Sequence, residues 1–233
     1  MKKLFLASTS TIYGSGYLEY LLPILSNFFK EVNALLFIPY ARPSGIGYDD
    51  YTKIVSDAFK KIDINVVGIH TFDDKHKAIE KAEGIFVGGG NTFVLVHELY
   101  QQNIMEILKN AINKGKPYLG TSAGSNIAGL TMQTTNDMPI VYPPSYTTLG
   151  CIPFNVNAHY LNPDPNSKHR GETRETRIKE FHTYNDIPVI GLREGSWLQV
   201  NGDEIVLKGD LSAKWFEKDK EPIELETKGY IAI

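Results

Sequence analysis

Through the first half of the chain, short apolar runs alternate with helix-length amphipathic segments, and this rhythm narrows the fold more than any other feature. Leu4-Phe5-Leu6-Ala7, Ala34-Leu35-Leu36-Phe37-Ile38-Pro39 and Gly84-Ile85-Phe86-Val87 are continuous rather than alternating. A strand covered on both faces needs apolar side chains at every position, so such runs suit a parallel sheet between helices. Ile64 to Ile69 and Pro117-Tyr118-Leu119 read as two further strands. Segments 17–29, 51–62, 78–82, 92–101 and 104–114 carry the intervening helical spacing. Repeated β-then-α units predict an α/β fold, a mainly parallel sheet flanked by helices. The absence of a solenoid period or a Ser/Gly-rich linker makes residues 1–233 a single expected domain.

The second half has a different texture. Segment 139–153, rich in proline, tyrosine and threonine, predicts irregular or edge structure. Phe154-Asn155-Val156-Asn157-Ala158 reads as a strand ending at His159, 162–170 as a polar surface loop and 171–182 as a helix. Pro188-Val189-Ile190-Gly191 is another short strand. From Ser196 onward, alternating segments around Asn201-Gly202 predict C-terminal β-hairpins, with Trp197-Leu198-Gln199-Val200 facing Glu204-Ile205-Val206-Leu207.

Several classes of function are disfavoured at once. A formal net charge of -3 argues against nucleic-acid binding. No window has the eighteen or so apolar residues of a membrane span. Met1-Lys2-Lys3 before Leu4-Phe5-Leu6-Ala7 mimics a secretion signal, but the apolar part is too short and polar Ser8-Thr9-Ser10-Thr11 follows. The lone cysteine, Cys151, excludes an internal disulfide and fits a reducing cytoplasm. A monomer and a homodimer are equally compatible with the sequence.

Chemistry concentrates in Gly120-Thr121-Ser122-Ala123-Gly124, between the strand at 117–119 and a helix-like 125–130. G-x-S-x-G at a strand-to-helix turn is the nucleophile-elbow pattern: small neighbours permit the sharp turn, and the Ala123 N–H faces developing negative charge. The plainer reading is a tight turn with Ser122 as a helix cap. Gly88-Gly89-Gly90-Asn91 supplies a second set of backbone donors, able to complete an oxyanion hole through Gly89 or Gly90. It could equally hold a phosphate, although the spacing is neither G-x-G-x-x-G nor a P-loop. Of the histidines, His159 and His70 end strands and so could face a cleft at the sheet's carboxyl edge. His159 opens a loop, which lets it approach the elbow. No H-E-x-x-H or Cys/His cluster implies a metal, and no cofactor is called for.

Taken together, these residues resemble the peptidase E serine peptidases, α-aspartyl dipeptidases related to class I glutamine amidotransferases. The resemblance runs through Val87-Gly88-Gly89-Gly90-Asn91-Thr92-Phe93, Ser122-Ala123-Gly124 with Asn126, and the stretch Thr134 to Val141. It continues in Asn157-Ala158-His159, Gly171-Glu172-Thr173-Arg174-Glu175 and Gly191-Leu192-Arg193-Glu194-Gly195-Ser196-Trp197. It departs at Ala158, where the family has proline, and at Thr121, where it has tryptophan. The resemblance implies a flavodoxin-like, glutamine-amidotransferase-like fold and a metal-free dipeptidase for Asp-X substrates. It implies Ser122 as nucleophile and His159 as base, with Ala123 and Gly89 or Gly90 at the oxyanion. The third member is Asp137 or Glu194, because the amidotransferase position two residues past the histidine is Leu161; the unused carboxylate could hold the substrate's α-amino group. Arg174, on the apolar stripe with Ile178 and Phe181, is the expected partner of the aspartyl carboxylate, with Lys168 and Arg170 as weaker alternatives. Asn91 is a further substrate-binding candidate. A related amide hydrolase, for β-aspartyl or cyanophycin-like substrates, and a non-catalytic anion-binding module are the competing readings.

Overall fold

In the computed structural model, which describes residues 1–163, 166 and 171–231, the apolar runs form one parallel array. Strands β1 (Lys3–Ala7), β2 (Ala34–Ile38), β3 (Asn65–Gly68), β4 (Gly84–Val87) and β5 (Tyr118–Thr121) lie in the order β3-β2-β4-β5-β1. The later strands are β6 (Asn155–Ala158), β7 (Val189–Leu192), β8 (Ser196–Asn201), β9 (Glu204–Gly209), β10 (Ala213–Phe216) and β11 (Ile223–Leu225). The β8–β9 hairpin adds antiparallel to β1 and extends the sheet to seven strands. A second sheet has the order β11-β10-β7-β6, with β6 and β7 parallel.

Alternation along each strand sends side chains to two separate cores. Leu4, Leu6, Leu36, Ile38, Ile85 and Val87 face one layer. Phe5, Ala7, Leu35, Phe37, Phe86 and Leu119 face the other. This two-sided burial is the physical reason for the uninterrupted apolar runs. Helices α1 (Leu22–Phe28) and α2 (Tyr48–Phe59) cover the second layer. Helices α3 (Lys75–Lys81), α4 (Thr92–Gln101) and α5 (Met105–Asn113) cover the first. The result is a flavodoxin-like α/β fold. Its strand order reverses about β2, so a crevice opens beyond the carboxyl ends of β2 and β4, where Gly88-Gly89-Gly90 follow.

Three helices are shorter than their hydrophobic spacing predicts. Segment 17–29 is helical only from Leu22, because Leu18 adopts φ +57° and its N–H turns back to Ser10 O at 2.7 Å. Leu18 and Leu21 are buried nonetheless, so the apolar face survives without the helix. The expected helix 125–130 is the single turn α6 (Ala123–Asn126). Segment 171–182 becomes α7 (Arg174–His182), started by Thr173, whose side chain accepts from Thr176 N. Most of the polar loop read at 162–170, with Lys168, His169 and Arg170, lies outside the described residues. Among the described residues, no helix is long and apolar enough to cross a membrane.

Cys151 is buried, and desolvation pushes its thiol up to about 11 against the opposing charges of Lys2 and Lys109. The thiolate is therefore scarce at neutral pH, and access is blocked as well. Iodoacetamide at pH 7.5 should label the native protein at least ~100-fold more slowly than the urea-unfolded chain, whose thiol titrates near ~8.5. Equal rates, read by intact-mass spectrometry, would contradict this.

Candidate active site

The two glycines of the elbow are explained by what a side chain would strike. A Cβ at Gly120 would fall 2.5 Å from Gly124 O, and one at Gly124 would fall 2.2 Å from Val87 O. Both obstacles are backbone and cannot step aside. Between them Ser122 has φ +53° and ψ −111°, a sparsely populated conformation for a residue with a side chain. Strain of this kind costs on the order of 1–3 kcal/mol and persists only where neighbours impose it. Here Ser122 N donates to Ala7 O at 3.1 Å, and Ser122 O accepts from Ser125 N and Asn126 N, each at 2.9 Å. The single Ser125 hydroxyl lies within donating reach of both Ala7 O and Gly120 O, at 2.7 and 2.9 Å.

Strand β6 delivers His159 to this corner. Its Nε2 lies 2.8 Å from Ser122 Oγ and its Nδ1 lies 2.6 Å from Glu194 Oε1. A carboxylate can only accept, so the neutral imidazole carries its proton on Nδ1 and leaves Nε2 to accept from the serine hydroxyl. His159 itself has φ +56°. Its N–H donates to Ser8 Oγ at 2.9 Å, while Asn126 Oδ1 accepts from Ala158 N at 3.2 Å. Glu194 projects from the turn between β7 and β8 and is exposed.

The glycine turn stands against the serine. A Cβ at Gly89 would lie 3.0 Å from Ser122 Cβ, so any side chain there would crowd the serine. Gly90 has φ +144°, with Ala41 O where a side chain would be. Tyr51 Oη donates to Gly89 O at 3.2 Å. In a trans peptide, that anchors the Gly89 carbonyl on one side and turns the Gly90 N–H to the other. Among the described residues, the N–H groups of Gly89, Gly90 and Ala123 have no hydrogen-bond acceptor.

Two expected site residues have other occupations. Asp137 does not reach the imidazole: its Oδ2 accepts from Thr92 N at 2.7 Å and from Thr135 Oγ1 at 2.9 Å, capping α4. Asn91 is the N-cap of the same helix, its Oδ1 accepting from Val94 N and its Nδ2 donating to Met138 O at 2.8 Å. Both polar ends of the Asn91 side chain are thus engaged, and so is its backbone, whose N–H donates to Ala41 O at 2.7 Å and whose C=O accepts from Leu95 N at 3.0 Å. His70 pairs with Asp49 at 3.0 Å, away from the elbow.

Arg174 begins α7, with Ile178 buried one turn below. Its Nη1 is buried and has no hydrogen-bond partner among the described residues. Burial draws the guanidinium below the ordinary arginine range, and the nearby Glu194 carboxylate opposes that. A buried donor without an acceptor is costly. No group of three or more His, Cys, Asp or Glu side chains suited to a metal occurs among the described residues.

Ser8 and Tyr51 escaped the sequence reading. Each contacts the site through backbone atoms of residues distant in sequence, and no local motif marks such contacts. Asn126 was visible only as part of a motif, without its role of tying α6 to β6.

Comparisons with known proteins identify the family. The model of peptidase family S51 matches residues 4–208. The chain is 48% identical to "Peptidase E" of Streptomyces coelicolor over 95% of its own length and 90% of the relative's. It is 45% identical to the "Probable alpha-aspartyl dipeptidase" of Drosophila melanogaster, over 94% and 91%. The crystal structure of a peptidase from an acI-B1 actinobacterium superposes with a TM-score of 0.71 at 17% identity, covering 100% of this chain and 97% of that one, a likeness of fold.

Gly124→Ala should push the elbow off Val87 O at a cost of at least about 2 kcal/mol. In a chain of this size that lowers Tm by roughly 5 °C. A calorimetric scan with unchanged Tm would show that the corner relaxes freely.

Proposed function

The chain belongs to peptidase family S51, and from that premise we propose a serine dipeptidase that removes N-terminal aspartate from Asp-X dipeptides. The reading rests on one observation above the rest, the continuous Ser122 Oγ, His159 Nε2 and Nδ1, Glu194 Oε1 chain at 2.8 and 2.6 Å. Such a chain transfers a proton without rearrangement.

His159 takes the Ser122 proton as Oγ attacks the aspartyl carbonyl, and the oxygen of that carbonyl becomes an oxyanion. Ala123 N–H with Gly89 or Gly90 N–H receives the charge; each well-aimed donor is worth about 3 kcal/mol. Collapse breaks the C–N bond, and His159 passes its proton to the departing amine. Water, deprotonated by His159, then attacks the Ser122 ester, and aspartate leaves as the serine regains its proton. Glu194 holds the imidazole's tautomer and stabilises its cationic form. Arg174 receives the aspartyl side-chain carboxylate, and the Asp137 carboxylate at the start of α4 is available to the α-amino group. The curated Drosophila relative, named for α-aspartyl substrates, supports α over β linkage. We read residues 1–233 as one catalytic unit, since the second sheet supplies the base to a nucleophile on the first. A cytoplasmic location fits the lone buried thiol.

Purified protein should hydrolyse Asp-Leu but not Leu-Leu, and Ser122→Ala should abolish turnover. Arg174→Met should raise KM for Asp-Leu and cost roughly 100-fold in kcat/KM, because a buried charge-assisted pair is lost. Preference for β-Asp-Leu would move the assignment to the related amide hydrolases, and full activity of Ser122→Ala would remove it.

The two carboxylates should also separate kinetically. Glu194→Gln keeps the shape but can no longer offset an imidazolium, so kcat should drop by ~10³ or more. Asp137→Asn should leave kcat largely intact and act through KM and helix stability. The reverse pattern in steady-state kinetics would exchange their roles.

A further inference from the structure

Residues 7 and 8 meet two members of the proposed triad, Ser122 and His159, at the backbone and reach the residues that flank the third, Glu194. Ala7 O accepts from Ser122 N and from Ser125 Oγ. The next residue, Ser8, is fully buried at the carboxyl end of β1. Its Oγ accepts from His159 N at 2.9 Å and donates to Leu192 O at 2.7 Å. Its own N–H donates to Ser196 O at 3.1 Å. Leu192 and Ser196 bracket Glu194 at two residues on either side. One hydroxyl therefore joins the base's main chain to the turn that carries the base's carboxylate.

A hydroxyl is the side chain that fits this place. The ends of β6 and β7 present an N–H and a C=O to the same buried point, and a single group that accepts and donates satisfies both. His159 sits at φ +56°, which a residue with a side chain holds only under restraint. Asn126 and Asn136 hold Ala158, and Leu192 holds Tyr160, but the N–H of His159 itself has Ser8 as its partner.

We propose that Ser8 is a positioning residue, setting the imidazole of His159 between Ser122 and Glu194 through the backbone of His159 and Leu192. This deepens the serine-peptidase reading and rests on it. Ser8 touches neither substrate nor reacting atoms. Its loss acts by letting the base drift, and an error near 1 Å in such a group costs on the order of 100-fold in rate.

The test compares Ser8→Ala with Thr148→Ala. Thr148 is likewise a buried hydroxyl donating to a main-chain carbonyl, Gly129 O at 2.8 Å, and serves as the control for a lost hydrogen bond. In folded Ser8→Ala, kcat for Asp-Leu should fall roughly 10- to 100-fold with KM within about 3-fold. Thr148→Ala should keep its kcat. The low-field proton NMR signal of the His159 Nδ1–H shared with Glu194 should be present in the unmutated protein and in Thr148→Ala, and lost or shifted in Ser8→Ala. If Ser8→Ala does not fold, Ser8→Cys, a weaker donor and acceptor of similar size, takes its place with the same expected changes. Unaltered kcat and an unaltered signal in the folded Ser8 variant would overturn the proposal, as would equal loss in Thr148→Ala. Should the unmutated protein fail to cleave Asp-Leu, the peptidase reading falls, while the NMR comparison still judges Ser8.

Discussion

Parallel pairing of β1 with β5 sets Ala7 beside Thr121, and the site is assembled outward from that adjacency. The ladder continues one step past the strand, from Ser122 N to Ala7 O, and so pins a serine that would otherwise relax out of its strained conformation. Because β1 also pairs with β8 on its other side, the same strand end reaches the turn of Glu194. The central strands thus act as a jig. Their hydrophobic burial supplies the stability against which the unfavourable backbone conformations at Ser122 and His159 can be held.

The two carboxylates illustrate how environment assigns roles to identical chemistry. Asp137 accepts a backbone N–H at the start of α4, a donor that the helix itself leaves without a partner. Glu194 stands in a turn, exposed, and its near partner is a titratable ring. Only the second arrangement responds when a proton moves onto the imidazole. The opposite face of the crevice is equally specialised. Tyr51 holds one carbonyl of the glycine turn, and only glycine fits beside Ala41 O at the backbone angle of Gly90.

Much of this was legible beforehand. Continuous apolar runs pointed to a sheet covered on both sides, and the two cores that divide alternate residues of β1, β2 and β4 are its cause. The elbow was readable from its residue pattern: the obstacle that Gly120 avoids is four residues on, at Gly124 O, whereas the one that Gly124 avoids is Val87 O, brought in by the neighbouring strand. Helix lengths were overestimated at 17–29 and 125–130. Hydrophobic spacing records which side chains are buried, and Leu18 and Ile127 are buried without belonging to a helix. The α7 stripe of Arg174, Ile178 and Phe181 was readable, whereas the orphaned state of the Arg174 guanidinium was not.

Sequence by itself determined the fold class, the strained serine corner, the glycine turn and the short list of partners for the serine. These follow from periodicity and from residue patterns within short stretches, both of which are written along the chain. Tertiary structure alone decided that Glu194 rather than Asp137 meets the imidazole, that Asn91 is consumed as a helix cap, and that Ser8 accepts from the His159 N–H. Those outcomes depend on which strand ends lie side by side, and strand order and register arise from packing the whole sheet rather than from any one segment.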